Sequence, residues 1–181
     1  MKIINLFGGP GAGKTTIAYY LAYRMKKAGY RAELVGEAAR EIIYDRNPGV
    51  TAAQLLDNQL LISGLQYERL KRLERHDMDV IIADSPLRMG LVYAKDLPEY
   101  EGLKAAIEAL EADLPRATNV FVQRTEGVYD KESRAQDEKQ AMELDAKIWN
   151  LTKYHHLIHW GNEPTLADEL IADIERDYNG N

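Results

Sequence analysis

Near its start the chain reads Gly8-Gly9-Pro10-Gly11-Ala12-Gly13-Lys14-Thr15, which matches every fixed position of the phosphate-loop pattern G-x-x-x-x-G-K-[ST]. A short apolar run at residues 3–7 precedes it and predicts a buried strand, and helical spacing begins at Lys14. Glycines let the backbone curve around an anion, and the following helix turns its positive N-terminal end toward the same anion. The stretch therefore predicts a binding site for a nucleoside triphosphate.

The pattern also predicts a role for each polar side chain of the loop. Lys14 is expected to contact the β- and γ-phosphates of ATP, and the Thr15 hydroxyl is expected to be a ligand of Mg²⁺. The residues predicted to bind ATP are Gly8, Gly9, Pro10, Gly11, Ala12, Gly13, Lys14, Thr15, Thr16 and Arg124.

Composition limits the class of protein. A chain of 181 residues with 45% hydrophobic content predicts one domain, 1–181. Because cysteine is absent, disulfides, thiol catalysis and cysteine-based zinc sites are excluded. The net charge of −6 argues against a generally basic surface for nucleic acid. No apolar run approaches the ~18 residues of a membrane span, so we expect no membrane partner and a cytoplasmic location.

Strand and helix patterns alternate along the chain, which predicts an α/β fold with a parallel sheet of about five strands flanked by helices. The predicted strands are 3–7, 32–35, 79–84, 118–123 and 157–160. Helices are predicted from Lys14, over 51–75 with Thr51 as N-cap, over 99–114, around 141–151, and after Thr165 as N-cap. The apolar side of the second helix is predicted to comprise Leu56, Leu60, Leu61, Leu65, Leu70 and Leu73.

Ligands in open α/β sheets bind beyond the carboxyl ends of the strands, which directs attention to the residues after each strand. Glu37 and Arg40 follow the second strand with a spacing that places both on one helix face. They could activate an acceptor hydroxyl and hold its anionic neighbour, or form only a surface ion pair. Asp84 ends the third strand at the Walker B position, suited to Mg²⁺ beside Thr15, and it could also cap a helix over 86–95.

Two further polar stretches have two interpretations each. Residues 124–137 lack apolar periodicity and form either a lid, whose Arg134 would stabilise the phosphoryl group in transfer, or a solvated loop. A basic cluster forms either a local groove for DNA or a solvated helix end. That cluster comprises Arg69, Lys71, Arg72 and Arg75, with Arg88 and Lys95 close by.

Several segments together resemble the small P-loop kinases related to the NadR ribosylnicotinamide kinase domain, many of them encoded by bacteriophages. Those segments are the phosphate loop, Glu37-Ala38-Ala39-Arg40-Glu41, Asp84-Ser85-Pro86, and Gln123-Arg124 through Tyr129-Asp130 to Ser133-Arg134. The family's lid often shows Gly-Arg where this chain has Ser133-Arg134. A phage origin would place the protein in the host cytoplasm.

The resemblance implies a nucleoside- or nucleotide-kinase-like fold and an ATP-dependent phosphotransferase that moves the γ-phosphate to the hydroxyl of a nucleoside- or nucleotide-type acceptor. It implies Glu37 as the base toward that hydroxyl and Arg40 as the arginine that holds the acceptor's phosphate. Two alternatives stay open: a phage kinase that phosphorylates 5-hydroxymethyluracil in DNA during thymine hypermodification, and a regulatory P-loop ATPase. The catalytic residues expected are Lys14, Glu37, Arg40, Asp84 and Arg134.

Overall fold

The computed structural model describes residues 1–44, 58–124, 138–159 and 161–179. Its elements are numbered here in the order in which those residues form them. The strands are β1 Lys2–Phe7, β2 Ala32–Val35, β3 Val80–Ala83, β4 Ala117–Gln123 and β5 His156–His159. The helices are α1 Lys14–Lys27, α2 Ala38–Tyr44, α3 Gln59–Glu74, α4 Met89–Tyr93, α5 Tyr100–Ala112, α6 Glu138–Trp149 and α7 Glu163–Asn179.

The five strands form one parallel sheet, as the alternating pattern predicts, and the structure gives their order as β2-β3-β1-β4-β5. Successive side chains of a strand point to opposite faces, so Ile3 and Ile4 of β1 enter different cores. Ile4 packs with α1 and α7 on one face, and Ile3 packs with α3 and α5 on the other. Because helices cover both faces, the strands are apolar on both sides.

A third apolar cluster lies at the carboxyl ends of β1 and β4 and holds α6 there. Phe7 and Phe121, the residues near those ends, pack with Ile148 of α6. The ring of Tyr154 meets Phe7 edge to face at 5.3 Å, and Trp149 meets Phe121 at 5.0 Å. Edge-to-face pairs add to the stabilisation that burial gives. The cluster therefore fixes α6 next to the loop that follows β1.

The predicted strands agree with the structure to within about two residues, but two predicted helix starts are wrong. Helix α3 begins at Gln59, where the Asn58 side chain accepts a hydrogen bond from the Leu61 amide at 3.0 Å. Thr51 lies outside the described residues. Helix α7 begins at Glu163, so Thr165 lies within it and is not its N-cap.

The predicted apolar face of α3 is also wrong in part. Leu60, Leu61 and Leu65 are exposed, whereas Leu70 and the polar residues Gln59, Ser63 and Gln66 are buried. The polar side chains can face inward because they meet hydrogen-bonding groups there, as Gln66 does with the backbone of α2. Helical spacing alone does not show whether the buried face of a helix is the one with leucines or the one with polar residues that find hydrogen-bond partners. No helix in the part of the chain that the structure describes could cross a membrane.

Candidate nucleotide and catalytic site

The loop between β1 and α1 has the sharp curvature that a phosphate loop needs. Gly8, Gly11 and Gly13 all have positive φ angles, of 145°, 84° and 92°. A Cβ atom on Gly8 would lie 2.7 Å from the carbonyl oxygen of Val122, so strand β4 also requires glycine there. Gly13 is the N-cap of α1, which places the positive end of that helix at the loop.

Lys14 lies against the loop that precedes it. Its Nζ donates to the carbonyl oxygens of Gly8 at 2.7 Å and Gly9 at 3.1 Å. Phosphate oxygens can replace these two backbone acceptors, because an ammonium group forms several hydrogen bonds without a fixed orientation. The first turn of α1 contains no acidic residue that would compete for the lysine.

Thr15 and Asp84, the two predicted Mg²⁺ ligands, are in contact. The Thr15 hydroxyl donates to Asp84 Oδ2 at 2.6 Å, because the pairing of β1 with β3 brings the end of β3 beside the loop. Asp84 is buried, and its Oδ1 has no hydrogen-bond partner among the described residues. A hydroxyl beside a carboxylate with an unsatisfied buried oxygen fits a hard cation such as Mg²⁺. The helix that follows begins at Met89, so Asp84 does not cap it.

Glu37 and Arg40 stand at the same end of the sheet. Their side chains lie 3.7 Å apart, as the spacing predicts, and both are partly exposed. Arg40 Nη2 is also 3.5 Å from the Thr15 hydroxyl oxygen. The pair therefore lies at the phosphate loop, beside Thr15, and not on a distant part of the surface.

Helix α3 holds the backbone that carries this pair. Gln66 Oε1 accepts from the Ala38 amide at 3.1 Å, and Arg69 donates to the Gly36 carbonyl at 3.3 Å and pairs with Glu41. These contacts fix the start of α2 on both sides of Glu37. These contacts could not be predicted from the sequence, because a polar residue on a predicted helix is expected at the surface.

Tyr93 lies close enough to Glu37 and Asp145 for their charges to act on it, and no sequence pattern indicated this. Burial raises the pKa of Tyr93 to about 12, and the negative charges of Glu37 and Asp145 add to this effect. A phenol is protonated at neutral pH with or without this shift, so Tyr93 can donate a hydrogen bond. Tyr93 is the last residue of the short helix α4. The apolar sequence of that helix is like that of many buried segments, so it does not mark Tyr93 as a residue near the site.

Arg124, predicted to bind ATP, contacts the phosphate loop and a carboxylate of α6. Its Nη2 donates to the Pro10 carbonyl at 2.7 Å and its Nε donates to Asp145 Oδ2 at 3.1 Å. Asp145 Oδ1 in turn accepts from the Gly9 amide at 2.6 Å. The end of β4, helix α6 and the first half of the loop are therefore joined through two side chains.

The structure does not bring every predicted residue to this site. Arg134 and all of the predicted lid after Arg124 lie outside the described residues. Much of the predicted basic cluster is paired with acidic groups: Arg69 with Glu41, Lys71 with Glu74 and Asp113, Arg75 with Glu68, and Arg88 with Glu111. Those pairs reduce the positive charge that a DNA groove would need.

Curated proteins that are similar to this chain in sequence include signal recognition particle proteins. The signal recognition particle 54 kDa protein of Saccharolobus islandicus (strain L.S.2.15 / Lassen #1) is 34% identical over 118 residues, which are 61% of this chain and 26% of that protein. The corresponding protein of Saccharolobus solfataricus is 33% identical over the same length. The chain thus spans about a quarter of the length of these curated relatives.

Solved structures show the same fold at low identity. The NadR protein in complex with NR superposes with a TM-score of 0.66 and 18% identity, covering 99% of this chain and 52% of that one. The structure of APE1195 has a TM-score of 0.50 and 20% identity, with coverages of 96% and 94%. A family model described as AAA domain matches residues 3–159. Because this match spans most of the chain, the chain belongs to the AAA domain family and has the P-loop NTPase fold of five parallel strands flanked by helices.

Proposed function

We propose that the protein is an ATP-dependent phosphotransferase that moves the γ-phosphate to a hydroxyl of a nucleoside- or nucleotide-type acceptor. The observation that carries this proposal is the position of Arg40, 3.5 Å from the Thr15 hydroxyl and 3.7 Å from Glu37. A carboxylate and a guanidinium beside the phosphate loop supply what an acceptor needs: a proton acceptor and a group that binds an anion.

The proposed ATP site comprises residues 8–16, with Arg124 joined to it through the Pro10 carbonyl. Thr15 and Asp84 would hold Mg²⁺. Two observations support this assignment: the hydrogen bond from the Thr15 hydroxyl to Asp84 Oδ2, and the buried Asp84 Oδ1, which has no hydrogen-bond partner among the described residues. When bound, Mg²⁺ neutralises charge that develops on the β- and γ-phosphate oxygens. Lys14 exchanges its backbone acceptors for phosphate oxygens and stabilises the same charge.

In the proposed reaction the acceptor oxygen attacks the γ-phosphorus, and the bond from that phosphorus to the bridging oxygen breaks. ADP leaves with the bridging oxygen, and the acceptor's hydroxyl proton passes to the Glu37 carboxylate. Arg40 orients the acceptor through an anionic or hydrogen-bonding group. Arg134, outside the described residues, stays the proposed cation for the transferring phosphoryl group, on the strength of the sequence alone.

The nature of the acceptor is proposed from two lines of support. The NadR structure whose fold this chain shares is a complex with NR, and the superposition covers 99% of this chain. The acidic balance and the paired arginines around α3 favour a small acceptor over a DNA strand. Transfer to 5-hydroxymethyluracil in DNA, and hydrolysis by a regulatory ATPase, are therefore outcomes to be distinguished by experiment.

The test follows radiolabel from the γ-position of ATP into free nucleosides, nucleotides and DNA that contains 5-hydroxymethyluracil, at two salt concentrations. We expect label in a free nucleoside or nucleotide, with little dependence on salt. Label in DNA that falls steeply with salt would support the DNA kinase instead. Label that reaches only water would refute phosphotransfer and favour the regulatory ATPase.

Glu37→Gln provides the internal check on the assigned base. It should reduce turnover on the order of a hundredfold or more while ATP affinity stays near wild type, because the carboxylate acts on the acceptor. Glu33→Gln is the matched control and should retain turnover, because the Glu33 carboxylate lies on β2 and pairs at the surface with Lys26 at 2.7 Å. Equal turnover in the two variants would remove Glu37 from the proposed mechanism.

A further inference from the structure

An acidic side chain lies where a triphosphate site would ordinarily exclude one. Asp145 of α6 is only 18% exposed, and its Oδ1 is 2.6 Å from the Gly9 amide nitrogen of the phosphate loop. A buried carboxylate near bound phosphates weakens binding by charge repulsion, unless another group neutralises it. Arg124 Nε, 3.1 Å from Asp145 Oδ2, is such a group.

The contacts divide the loop into two halves with different partners. In the first half, the Gly9 amide donates to Asp145, the Pro10 carbonyl accepts from Arg124, and proline has no amide hydrogen. In the second half, Gly11, Gly13 and the first turn of α1 carry the amides that this motif presents to phosphate. The side chains of Asp145 and Arg124 thus hold the first half of the loop, and they leave the amides of the second half to the phosphates.

Arg124 bridges the carboxylate and the loop because a guanidinium has donors in a fixed fork. Nε is used for Asp145 and Nη2 for Pro10, so both contacts depend on the same planar group. Helix α6 is itself fixed at the carboxyl end of the sheet, where Ile148, one turn from Asp145, packs on Phe7 and Phe121. The carboxylate is therefore presented by a rigid element.

From these contacts we infer that Asp145 and Arg124 are positioning residues that set the shape of the phosphate loop, and that they raise ATP affinity through the loop backbone without contacting the nucleotide. The inference deepens the proposed function, since it rests on ATP binding at this loop. It does not depend on which acceptor is phosphorylated.

The test measures binding of ATP with Mg²⁺ by calorimetry for the wild type, Asp145→Ala, Arg124→Ala and the double variant. We expect each single variant to bind ATP roughly tenfold to a hundredfold more weakly, the range that the loss of a charge-assisted hydrogen bond implies. Because both residues act as one unit, the double variant should bind ATP about as tightly as the single variant with the lower affinity.

Charge effects cannot imitate the weaker binding expected for Asp145→Ala, although loss of the positive charge in Arg124→Ala would by itself weaken ATP binding. Removal of Asp145 deletes a negative charge near the phosphates, which alone would tighten ATP binding. If Arg124 were instead a phosphate ligand restrained by Asp145, Asp145→Ala would strengthen ATP binding and overturn the inference. Arg124→Lys gives a second criterion, because it keeps the charge but cannot make both contacts, so ATP affinity should fall. Wild-type affinity in Arg124→Lys would also overturn the inference.

Asp79 supplies a matched control at the opposite end of the strands. Its carboxylate likewise accepts from a backbone amide, that of Arg31 at 2.8 Å, and from the guanidinium of the same residue at 3.3 Å. Asp79→Ala should lower the melting temperature while ATP affinity stays unchanged. Failure of the wild type to bind ATP would count against the proposed function, whereas wild-type binding with unchanged affinity in Asp145→Ala would count against the inference alone.

Discussion

Replacement of Gly8 by alanine should destabilise the protein more than the same replacement at Gly29 or Gly36. Gly8 has a φ of 145°, and its Cβ would lie 2.7 Å from the Val122 carbonyl oxygen and 3.2 Å from the Ala12 Cβ. The backbone conformation costs an alanine about 1–3 kcal/mol. The contact adds roughly 1–3 kcal/mol, as for other overpacked sites, because the neighbour is a strand backbone that cannot rotate away.

Two glycines separate these contributions. Neither Gly29 nor Gly36 has an atom within 4 Å of its Cβ position. Gly29 has a φ of 93°, whereas the φ of Gly36 lies outside the left-handed range. The melting temperature of Gly36→Ala therefore measures the effect of alanine without strain or a close contact. Gly29→Ala adds backbone strain, and Gly8→Ala adds both the strain and the close contact with the Val122 carbonyl. At about 2–4 °C for each kcal/mol in a chain of this size, the melting temperature of Gly8→Ala should lie about 2–12 °C below that of Gly29→Ala.

Thermal unfolding followed by circular dichroism gives the comparison, with ATP titration on the same samples. ATP affinity should fall in Gly8→Ala, because the Gly8 carbonyl, an acceptor for Lys14, must move with its residue. It should not change in Gly29→Ala. Equal melting temperatures for the Gly8 and Gly29 variants would refute the argument that β4 constrains the loop.

Three other predictions concern charged residues. Lys14→Ala should reduce phosphotransfer on the order of a thousandfold with little change in melting temperature, and near wild-type turnover would contradict its assignment. Asp84→Asn should raise the Mg²⁺ concentration needed for half-maximal activity, so an unchanged Mg²⁺ titration would argue against metal binding there. Burial opposes ionisation of Asp173, but hydrogen bonds from Arg176 and His156 lower its pKa overall. Its folded-state pKa is therefore below the unfolded value of about 3.9, so the stability it contributes is present above that pH and is lost as the pH falls through the folded-state pKa. Denaturant unfolding of wild type and Asp173→Asn should show a free-energy gap at pH 5 that narrows toward pH 3, and a gap independent of pH would contradict this sign.

The sheet could be predicted from the sequence because buried parallel strands are short apolar runs. Strand β2 has the predicted bounds, and Asp84 follows β3 as the Walker B pattern requires. The contact between Glu37 and Arg40 was also predictable from their spacing of three residues, because Glu37 immediately precedes α2 and Arg40 lies in its first turn. These features depend on local sequence.

The missed features depend on partners that are distant in the chain. Gly9 and Asp145 are separated by 136 positions, and nothing in the pattern around Asp145 distinguishes it from an exposed helical carboxylate. Gln66 faces inward because the Ala38 amide, 28 positions away, needs an acceptor. The leucine spacing of α3 predicted that the face opposite Gln66 is buried. That prediction failed because helical periodicity shows which residues share a face but not which face packs against the rest of the protein.

The position of β1 between β3 and β4 has a consequence for synthesis of the chain. The central strand is translated first, yet its neighbour β4 ends only at Gln123, and Asp145 follows later still. Contacts between such distant segments close late and slow the search for the native fold. A nascent chain on the ribosome therefore carries the complete phosphate-loop sequence long before it has a shaped loop. Nucleotide can stabilise only the folded form that binds it, so chains interrupted before β4 should gain no protection from proteolysis by cellular ATP.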